Sequence, residues 1–336
     1  MVATALRHPM LPRGRLGSYH GRVTLPAPDT QVRTARGGAV FGFEVASSVP
    51  LRFMRAIGTT PPITTLTVRE GAPRPDPGGP PLREWSPTDR NPFHARLWPD
   101  GDAYRLWIEG LGWFWIQPEA GVVEIPEGPD AVHCEERLWG IPSALVAVRH
   151  GVIPIHAAAV QLGDAAVVMA APGRFGKTTL ATAMGAAGHR VLTEDVCAIG
   201  LSPVPAVLPG PAVVRVRPDT FEALGIGAGQ VALHEPTRVH LAIAPELRGT
   251  GDPVPVRAVV FLDVGDEIGF TRVDATTALP MLWNLTTKLP TDEDRTRCFE
   301  ALADLASSVP VWHLRRPLRY DRLPDVIAAI EDEDLS

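Results

Sequence analysis

A nine-residue segment near the middle of the chain limits what the fold can be. The segment, residues 171–179, reads APGRFGKTT. An apolar run precedes it at 165–170, and residues that favour helices follow it at 180–187. A strand, a glycine-containing turn and a helix in this order form the phosphate-binding loop (P-loop) of many nucleotide-binding proteins. The segment therefore predicts an α/β fold with a nucleotide site at the turn.

The chemistry of such a loop assigns a role to each of its residues. Backbone N–H groups and the positive end of the following helix attract phosphate oxygens. Lys177 is expected to neutralise the β- and γ-phosphates, and the Thr178 hydroxyl to ligate Mg²⁺. The pattern has glycine at its first position, where this chain has Ala171. The predicted nucleotide-binding residues are Gly173, Arg174, Phe175, Gly176, Lys177, Thr178 and Thr179.

The choice of basic residues supports a special role for the lysine of this segment. Of the 32 basic residues, only Lys177 and Lys288 are lysines. A chain that uses arginine almost everywhere keeps lysine where a slim point charge is needed, because the guanidinium fork is wide. By the same argument Lys288 is predicted to contact phosphate or the acceptor. The alternative, an ordinary strand-to-helix turn that contains Gly-Lys-Thr by chance, stays open.

Two adjacent carboxylates follow the next predicted strand, 191–193. Glu194 and Asp195 thus lie at the carboxyl end of a strand, where α/β folds place ligand sites. One of them can hold Mg²⁺ and the other can take a proton from an attacking hydroxyl. The alternative is a solvated strand end.

Composition limits the remaining function classes. A length of 336 residues predicts two domains, and 45% hydrophobic residues suffice for a large core. A net charge of −6 argues against nucleic-acid binding. Without a long apolar run or a signal-like start, the chain is expected to be soluble, cytoplasmic and independent of membranes. The three cysteines are widely spaced, which indicates reduced thiols.

The order of predicted elements divides the chain into four parts. Residues 1–35 are rich in Pro, Arg and Gly and are expected to be a loosely ordered lead-in. Residues 36–130 are predicted to form a smaller, mainly antiparallel β domain, residues 131–330 the α/β nucleotide-binding core, and residues 331–336 a solvated acidic tail. The predicted strands of the first domain are 40–45, 63–68, 95–98, 104–108 and 112–116, with a hairpin turn at 99–102 and a long loop between 71 and 92.

The predicted core contains further elements around the loop. Apolar spacing indicates one helix over 135–150 and a strand at 153–160 that pairs with 165–170. The strand at 213–217 has Arg215 and Arg217 on one face, either for phosphate or for solvent. The remaining predictions are a helix ending at Gly188, a strand at 256–263, a helix at 292–307, a strand at 311–314 and a helix at 324–330.

Four short stretches together carry a family resemblance. Residues 155–157, the 171–179 segment, residues 188–190 and residues 192–195 resemble the catalytic core of the HPr kinase/phosphorylase family. They are more similar still to its HPr-kinase-related branch, found beside peptide and natural-product biosynthesis enzymes. Order and spacing match over about 153–200, and a looser likeness covers most of the chain.

The resemblance implies a fold, an activity and residue roles. It implies a PEP-carboxykinase-like nucleotide fold and a serine-type kinase that uses ATP and Mg²⁺. Glu194 falls on the acid that activates the acceptor hydroxyl, Asp195 on the second acid and metal ligand, and His156 on the histidine just outside the loop. Two departures concern Ala171 and Glu194, since the family has Gly and Asp there. The family's later Arg-Gly signature is not found at its spacing, so phosphorylase activity has no support.

The sequence thus predicts an ATP-dependent kinase that phosphorylates a hydroxyl group of a peptide or small molecule, in a biosynthetic pathway. An oligomer is possible. Two alternatives stay open: a nucleotide-binding regulatory or partner-recruiting protein without turnover, and an NTP hydrolase that uses the same loop with water as acceptor.

Overall fold

The computed structural model has a mixed α/β fold and describes residues 35–72, 74–87, 93–128, 131–286 and 289–335. The strands in this part are β1 Ala35–Val40, β2 Phe43–Leu51, β3 Thr65–Glu70, β4 Arg83–Trp85, β5 Ala95–Asp100, β6 Ala103–Ile108, β7 Gly112–Gln117, β8 Val122–Ile125, β9 Ile153–Leu162, β10 Ala165–Ala170, β11 Arg190–Thr193, β12 Val196–Gly200, β13 Ala206–Leu208, β14 Val213–Val216, β15 Val231–His234, β16 Val239–Ala242, β17 Val254–Val264, β18 Gly269–Val273 and β19 Val311–Arg316. The α-helices are α1 Ala131–Leu138, α2 Ile141–Arg149, α3 Lys177–Ala186, α4 Pro218–Ala223, α5 Pro245–Arg248, α6 Ala275–Trp283, α7 Asp292–Ser308 and α8 Leu323–Asp332.

The N-terminal strands form one eight-stranded sheet in the order β1-β2-β3-β8-β7-β6-β5-β4. Its pairs are antiparallel except β2–β3 and β3–β8, so the mainly antiparallel prediction holds for most pairs. The predicted hairpin between β5 and β6 is confirmed. The strand predicted at 40–45 is wrong, because the chain turns at Phe41 and Gly42, which both have positive φ, and splits it into β1 and β2. The predicted loop 71–92 also contains the short edge strand β4.

A second eight-stranded sheet carries the 171–179 segment. Its path is β10-β9-β12-β13-β17-β19-β18, with β11 also on β9 and a parallel β10–β17 pair. The two longest strands explain this branching. β9 pairs with β12 through its first residues and with β10 through its last, and β17 similarly changes partners along its length. A small third sheet, β14-β16-β15, packs beside it.

The region 135–150 departs from its predicted single helix. Two helices, α1 and α2, meet at Trp139 and Gly140, and Pro142 occupies the first turn of α2. Proline lacks the N–H that would continue the first helix, which accounts for the break. The buried carboxylate of Glu135 accepts hydrogen bonds from the backbone N–H groups of Arg52 (2.6 Å) and Phe53 (2.8 Å), and so joins α1 to the N-terminal sheet.

The C-terminal end is more ordered than the sequence predicts. Glu331 and Asp332 belong to α8, Leu335 is fully buried, and Trp312 Nε1 donates a hydrogen bond to the Leu335 carbonyl at 3.3 Å. The acidic side chains of Glu331, Asp332 and Asp334 are exposed, as a solvated tail requires, but the helical start of this segment and the burial of Leu335 were not predicted. Of the predicted lead-in, 1–35, residues 1–34 lie outside the described residues and Ala35 begins β1. Among the helices that are described, none has the length and apolar content to cross a bilayer.

Candidate functional site

Strand register brings the predicted site residues to one end of the second sheet. β10 leads into the 171–176 loop and then α3, while β11 ends at Thr193, one residue before Glu194. β9 lies between β10 and β12 and pairs His156 with Val196, the residue after Asp195. The loop, the histidine and the two acids therefore meet because β9 pairs with both of the flanking chains.

The loop has a left-handed backbone conformation at Gly176, which favours glycine at this position. Gly176 caps α3 with φ 74°, and a Cβ there would lie 2.8 Å from Arg316 Nη2. Arg316 is buried, and its Nη2 donates a hydrogen bond to the Phe175 carbonyl at 2.7 Å, which holds the loop against β19. Arg174 also has a positive φ of 73°. Ala171, by contrast, is buried in the core without a positive φ, so the loss of glycine at this position costs no backbone strain.

Lys177 turns its ammonium back across the loop. Its Nζ donates to the Ala171 carbonyl at 2.6 Å and lies 3.0 Å from His156 Nε2. Burial lowers the pKa of Lys177, although the charges of Asp195 and Glu194 act to raise it. The side chain thus places a desolvated cation at the N-terminus of α3, which is where an anion is also attracted by the helix dipole.

Thr178 and Glu194 form a second contact of the site. The Thr178 hydroxyl donates to Glu194 Oε1 at 2.5 Å. Burial raises the pKa of Glu194, and Asp195 adds to this rise, while Arg215 opposes it. A carboxylate with a raised pKa is a better proton acceptor near neutral pH than an ordinary one.

Asp195 is the more exposed of the two acids and lies between two basic side chains, those of His156 and Arg215. Its Oδ1 is 3.0 Å from His156 Nδ1, and its Oδ2 is 2.5 Å from Arg215 Nη2. Burial acts to raise the pKa of Asp195, but Arg215 and His156 outweigh it and lower the pKa well below its usual range. Asp195 therefore stays ionised, whereas its neighbour Glu194 has a raised pKa.

Arg215 has a role that the sequence did not resolve. Its guanidinium contacts Asp195, lies 3.5 Å from Glu194 Oε2 and also donates to Glu136 on α1. Burial alone would lower the pKa of Arg215, but these carboxylates raise it further above its usual value. Arg215 is thus neither a solvated residue nor an open phosphate contact. It is the counter-ion that holds three acids together.

The other predicted residues lie at different places. Thr179 Oγ1 is 3.3 Å from Oγ1 of Thr220 on α4, and Phe175 packs against the apolar core. A Cβ at Gly173 would meet nothing within 4 Å, so the loop is open there. Lys288 lies outside the described residues, and its predicted contact stays a prediction.

The residues present fit Mg²⁺ and the phosphates of ATP. Open space over Gly173, a buried ammonium and a helix N-terminus suit a phosphate group. The Thr178 hydroxyl and the ionised Asp195 carboxylate are hard oxygen donors, which Mg²⁺ prefers.

Comparison with known proteins adds little to this geometry. No protein-family model and no curated protein matches the chain. Among solved structures, the Hpr(Ser) kinase/phosphatase from Coxiella burnetii is similar, with 10% sequence identity and a TM-score of 0.29 over 53% of this chain and 95% of that chain. At this identity and TM-score the similarity carries no argument about activity, and the family resemblance stays a prediction.

Proposed function

We propose that this protein is an ATP-dependent kinase that transfers the γ-phosphoryl group to a hydroxyl of a peptide or small molecule. One observation carries the proposal. The side chains of the site are linked by short contacts: Thr178 donates to Glu194, and His156 contacts both the buried Lys177 and Asp195. The pKa of one of the two carboxylates, Glu194, is raised and that of the other, Asp195, is lowered. Phosphoryl transfer needs this combination of cationic and acidic groups, because catalysis rests on positioning and charge neutralisation.

The loop and Lys177 bind the phosphates in this proposal. The Lys177 ammonium donates a hydrogen bond to the Ala171 carbonyl, and we expect it to exchange this partner for a phosphate oxygen when nucleotide binds. Thr178 and Asp195 would hold Mg²⁺, which supplies further neutralisation of the phosphate charge when bound. Arg316 keeps the loop in place through the Phe175 carbonyl.

Glu194 is the residue we propose as general base. Its raised pKa suits proton removal from the acceptor hydroxyl, and its carboxylate is buried close to the loop. His156 bridges Lys177 and Asp195 through its two ring nitrogens, so it orients both the cation and the acid. Replacing the expected Asp by Glu at 194 lengthens the side chain by one methylene, and the hydrogen bond from Thr178 fixes where it ends.

The acceptor would bind between the second sheet and the N-terminal sheet. The turn after β1 lies close to the acids, since Phe41 donates its N–H to the Pro209 carbonyl at 2.8 Å and a Cβ on Gly210 would meet both Phe41 and Thr193. The N-terminal sheet would then set acceptor specificity. A biosynthetic role and a cytoplasmic location, where ATP is abundant, belong to the same proposal.

The test is phosphoryl transfer from γ-labelled ATP with Mg²⁺ to extracts and hydroxyl-bearing peptides from the source organism. Lys177→Ala and Glu194→Gln are expected to lower transfer at least about 100-fold, since each removes a charge that acts on the reacting groups. Glu246→Gln is the matched control, because Glu246 is exposed on the short helix α5.

Each outcome decides between the kinase and its alternatives. Labelled acceptor with the wild type and Glu246→Gln, but not with Lys177→Ala, supports the kinase. Free phosphate without labelled acceptor, lost in Glu194→Gln, would replace it with a hydrolase. Saturable nucleotide binding with neither product would instead indicate a regulatory nucleotide-binding protein.

A further inference from the structure

A second cluster of ligand-type side chains lies on the other side of Arg215. His133 and Glu136 are on α1, His240 is on β16, and Glu235 follows β15. One donor atom each from His133, Glu136 and His240 lies within 4.8 Å of the others. Neither the loop nor the proposed kinase chemistry uses these residues.

Local structure explains why the four side chains meet. His133 and Glu136 are three residues apart on a helix and so share one face. The β14–β16 register places His240 directly opposite Arg215, whose guanidinium also contacts Glu136. The turn between β15 and β16 then brings Glu235 back towards both histidines.

The two imidazole rings point their Nε2 atoms at one carboxylate. His133 Nε2 lies 2.9 Å from Glu235 Oε1, and His240 Nε2 lies 3.2 Å from Glu235 Oε2. His240 Nε2 is also 3.7 Å from Glu136 Oε2, while the other oxygen of Glu136 is bound by Arg215. His240 is almost fully buried and the other three are partly buried. Four donors therefore converge from three elements on one small volume.

We infer that His133, Glu136 and His240 form a binding site for a divalent transition metal of the zinc type, with Glu235 as the fourth ligand. Two imidazoles with carboxylates are a ligand set that zinc binds in tetrahedral geometry. Donors around such an ion are roughly 3.4 Å apart. The donor atoms of His133, Glu136 and His240 now lie within 4.8 Å of one another, so their largest separation needs to shrink by at most about 1.4 Å, which rotation of partly exposed side chains can supply.

Arg215 connects this metal site to the candidate phosphate site. It contacts Glu136 on one side and Asp195 on the other, so a metal bound to Glu136 draws that carboxylate away from the guanidinium. The metal site itself does not rest on the proposed kinase activity, and its test measures metal binding directly.

The test uses the full chain, stripped of metal with a chelator, in a Zn²⁺ titration against a chromogenic chelator and a Co²⁺ absorption titration. One Zn²⁺ per chain is expected, together with the intense visible bands of four-coordinate Co²⁺. His133→Ala is expected to weaken Zn²⁺ binding at least about tenfold. His189→Ala is the matched control, because His189 also pairs with a glutamate, Glu331, at 2.7 Å and similar exposure.

Three results would overturn the proposal. The first is that the protein takes no Zn²⁺ from the chromogenic chelator. The second is that His133→Ala and His189→Ala weaken Zn²⁺ binding equally. The third is that Asp195→Asn abolishes Zn²⁺ binding while His133→Ala keeps it. An excess of Mg²⁺ should leave Zn²⁺ in place, since imidazole ligands disfavour Mg²⁺. If His133→Ala does not fold, ¹⁵N spectra of the wild-type histidine rings decide, because Zn²⁺ must shift the resonances of two rings.

Discussion

Two arginines near the end of β11, the buried Arg55 and the partly buried Arg215, are bound in different ways. Arg55, which lies between β2 and β3, donates hydrogen bonds to the backbone carbonyls of Gly210, Val191, Leu192 and Arg248. Arg215 instead contacts the carboxylates of Glu136, Glu194 and Asp195. The Arg55 guanidinium is thus bound by carbonyl dipoles, two of them on the strand just before Glu194 and Asp195. The Arg215 guanidinium is bound by the charged carboxylates of these two residues and of Glu136.

The difference appears in the pKa values. Burial and the nearby charges of Arg190 and Arg248 lower the pKa of Arg55 to about 9, so it stays charged at neutral pH at a cost in folding free energy. For Arg215 the carboxylates outweigh burial and raise the pKa. Burial alone does not make an arginine functional. A buried arginine marks a reactive site when its partners are ionisable groups with shifted pKa values of their own.

The largest effect is expected from Arg55→Met. The substitution leaves several buried carbonyls without a donor, each at a cost of about 1–3 kcal/mol, so the free energy of unfolding should fall by about 4 kcal/mol. Chemical denaturation measures this loss, with Arg36→Met, at an exposed position, as the control. The comparison of the two arginines predicts that folded Arg55→Met keeps the proposed kinase activity. A stable but inactive variant would show that Arg55 is not merely structural.

Arg215→Met should instead lower activity more than stability. Without the guanidinium the three carboxylates repel one another, and the pKa of Glu194 and Asp195 both rise. Phosphoryl transfer is expected to fall about 100-fold, equivalent to about 2.7 kcal/mol. Arg215→Lys should not restore it, because one ammonium cannot reach three partners. Full activity in Arg215→Met would contradict the role assigned to this residue.

Much of the site could be predicted because its signals are local in sequence. The strand, loop and helix around Lys177 follow from composition and periodicity within about twenty residues, and Glu194 and Asp195 follow the next strand. Arg215 was visible on its strand, but its partners were not. Glu136 is 79 residues away in sequence, and only the packing of α1 against the third sheet brings the two together.

The zinc-type cluster was missed for the same reason. His133 and Glu136 share one face of α1, but the helix predicted from the sequence begins at residue 135 and leaves His133 outside it. His240 becomes their neighbour only through the β14–β16 register. The fold shows a similar limit, because the change of partners along β9 and β17 depends on long-range pairing that no local pattern encodes.

The smallest effect on stability is expected at Asp252. This residue is an anion that accepts hydrogen bonds from backbone N–H groups, whereas Arg55 is a cation that donates to backbone carbonyls. Its carboxylate accepts hydrogen bonds from the backbone N–H groups of Thr59 and Thr60, both at 2.7 Å, near the solvent. A charge is again bound by backbone dipoles, but with little burial. The N–H of Thr60, the Thr250 hydroxyl and the N–H of Thr59 outweigh burial and lower the pKa of Asp252 from 3.8 to about 2.

Asp252→Asn is therefore expected to cost about 1 kcal/mol at pH 7, less than the pKa shift alone implies, because solvent screens the interaction. A carboxyl with a lowered pKa in the folded state stabilises the fold above pH 4, and this contribution is lost as the pH falls through 2. The difference in unfolding free energy between wild type and Asp252→Asn should thus shrink between pH 4 and pH 2. Urea unfolding of both proteins across this range measures it. A difference in unfolding free energy that stays constant over this range would mean that Asp252 stabilises the fold through its shape and not through its charge. The contrast between an exposed Asp252 and a buried Arg55 would then not hold.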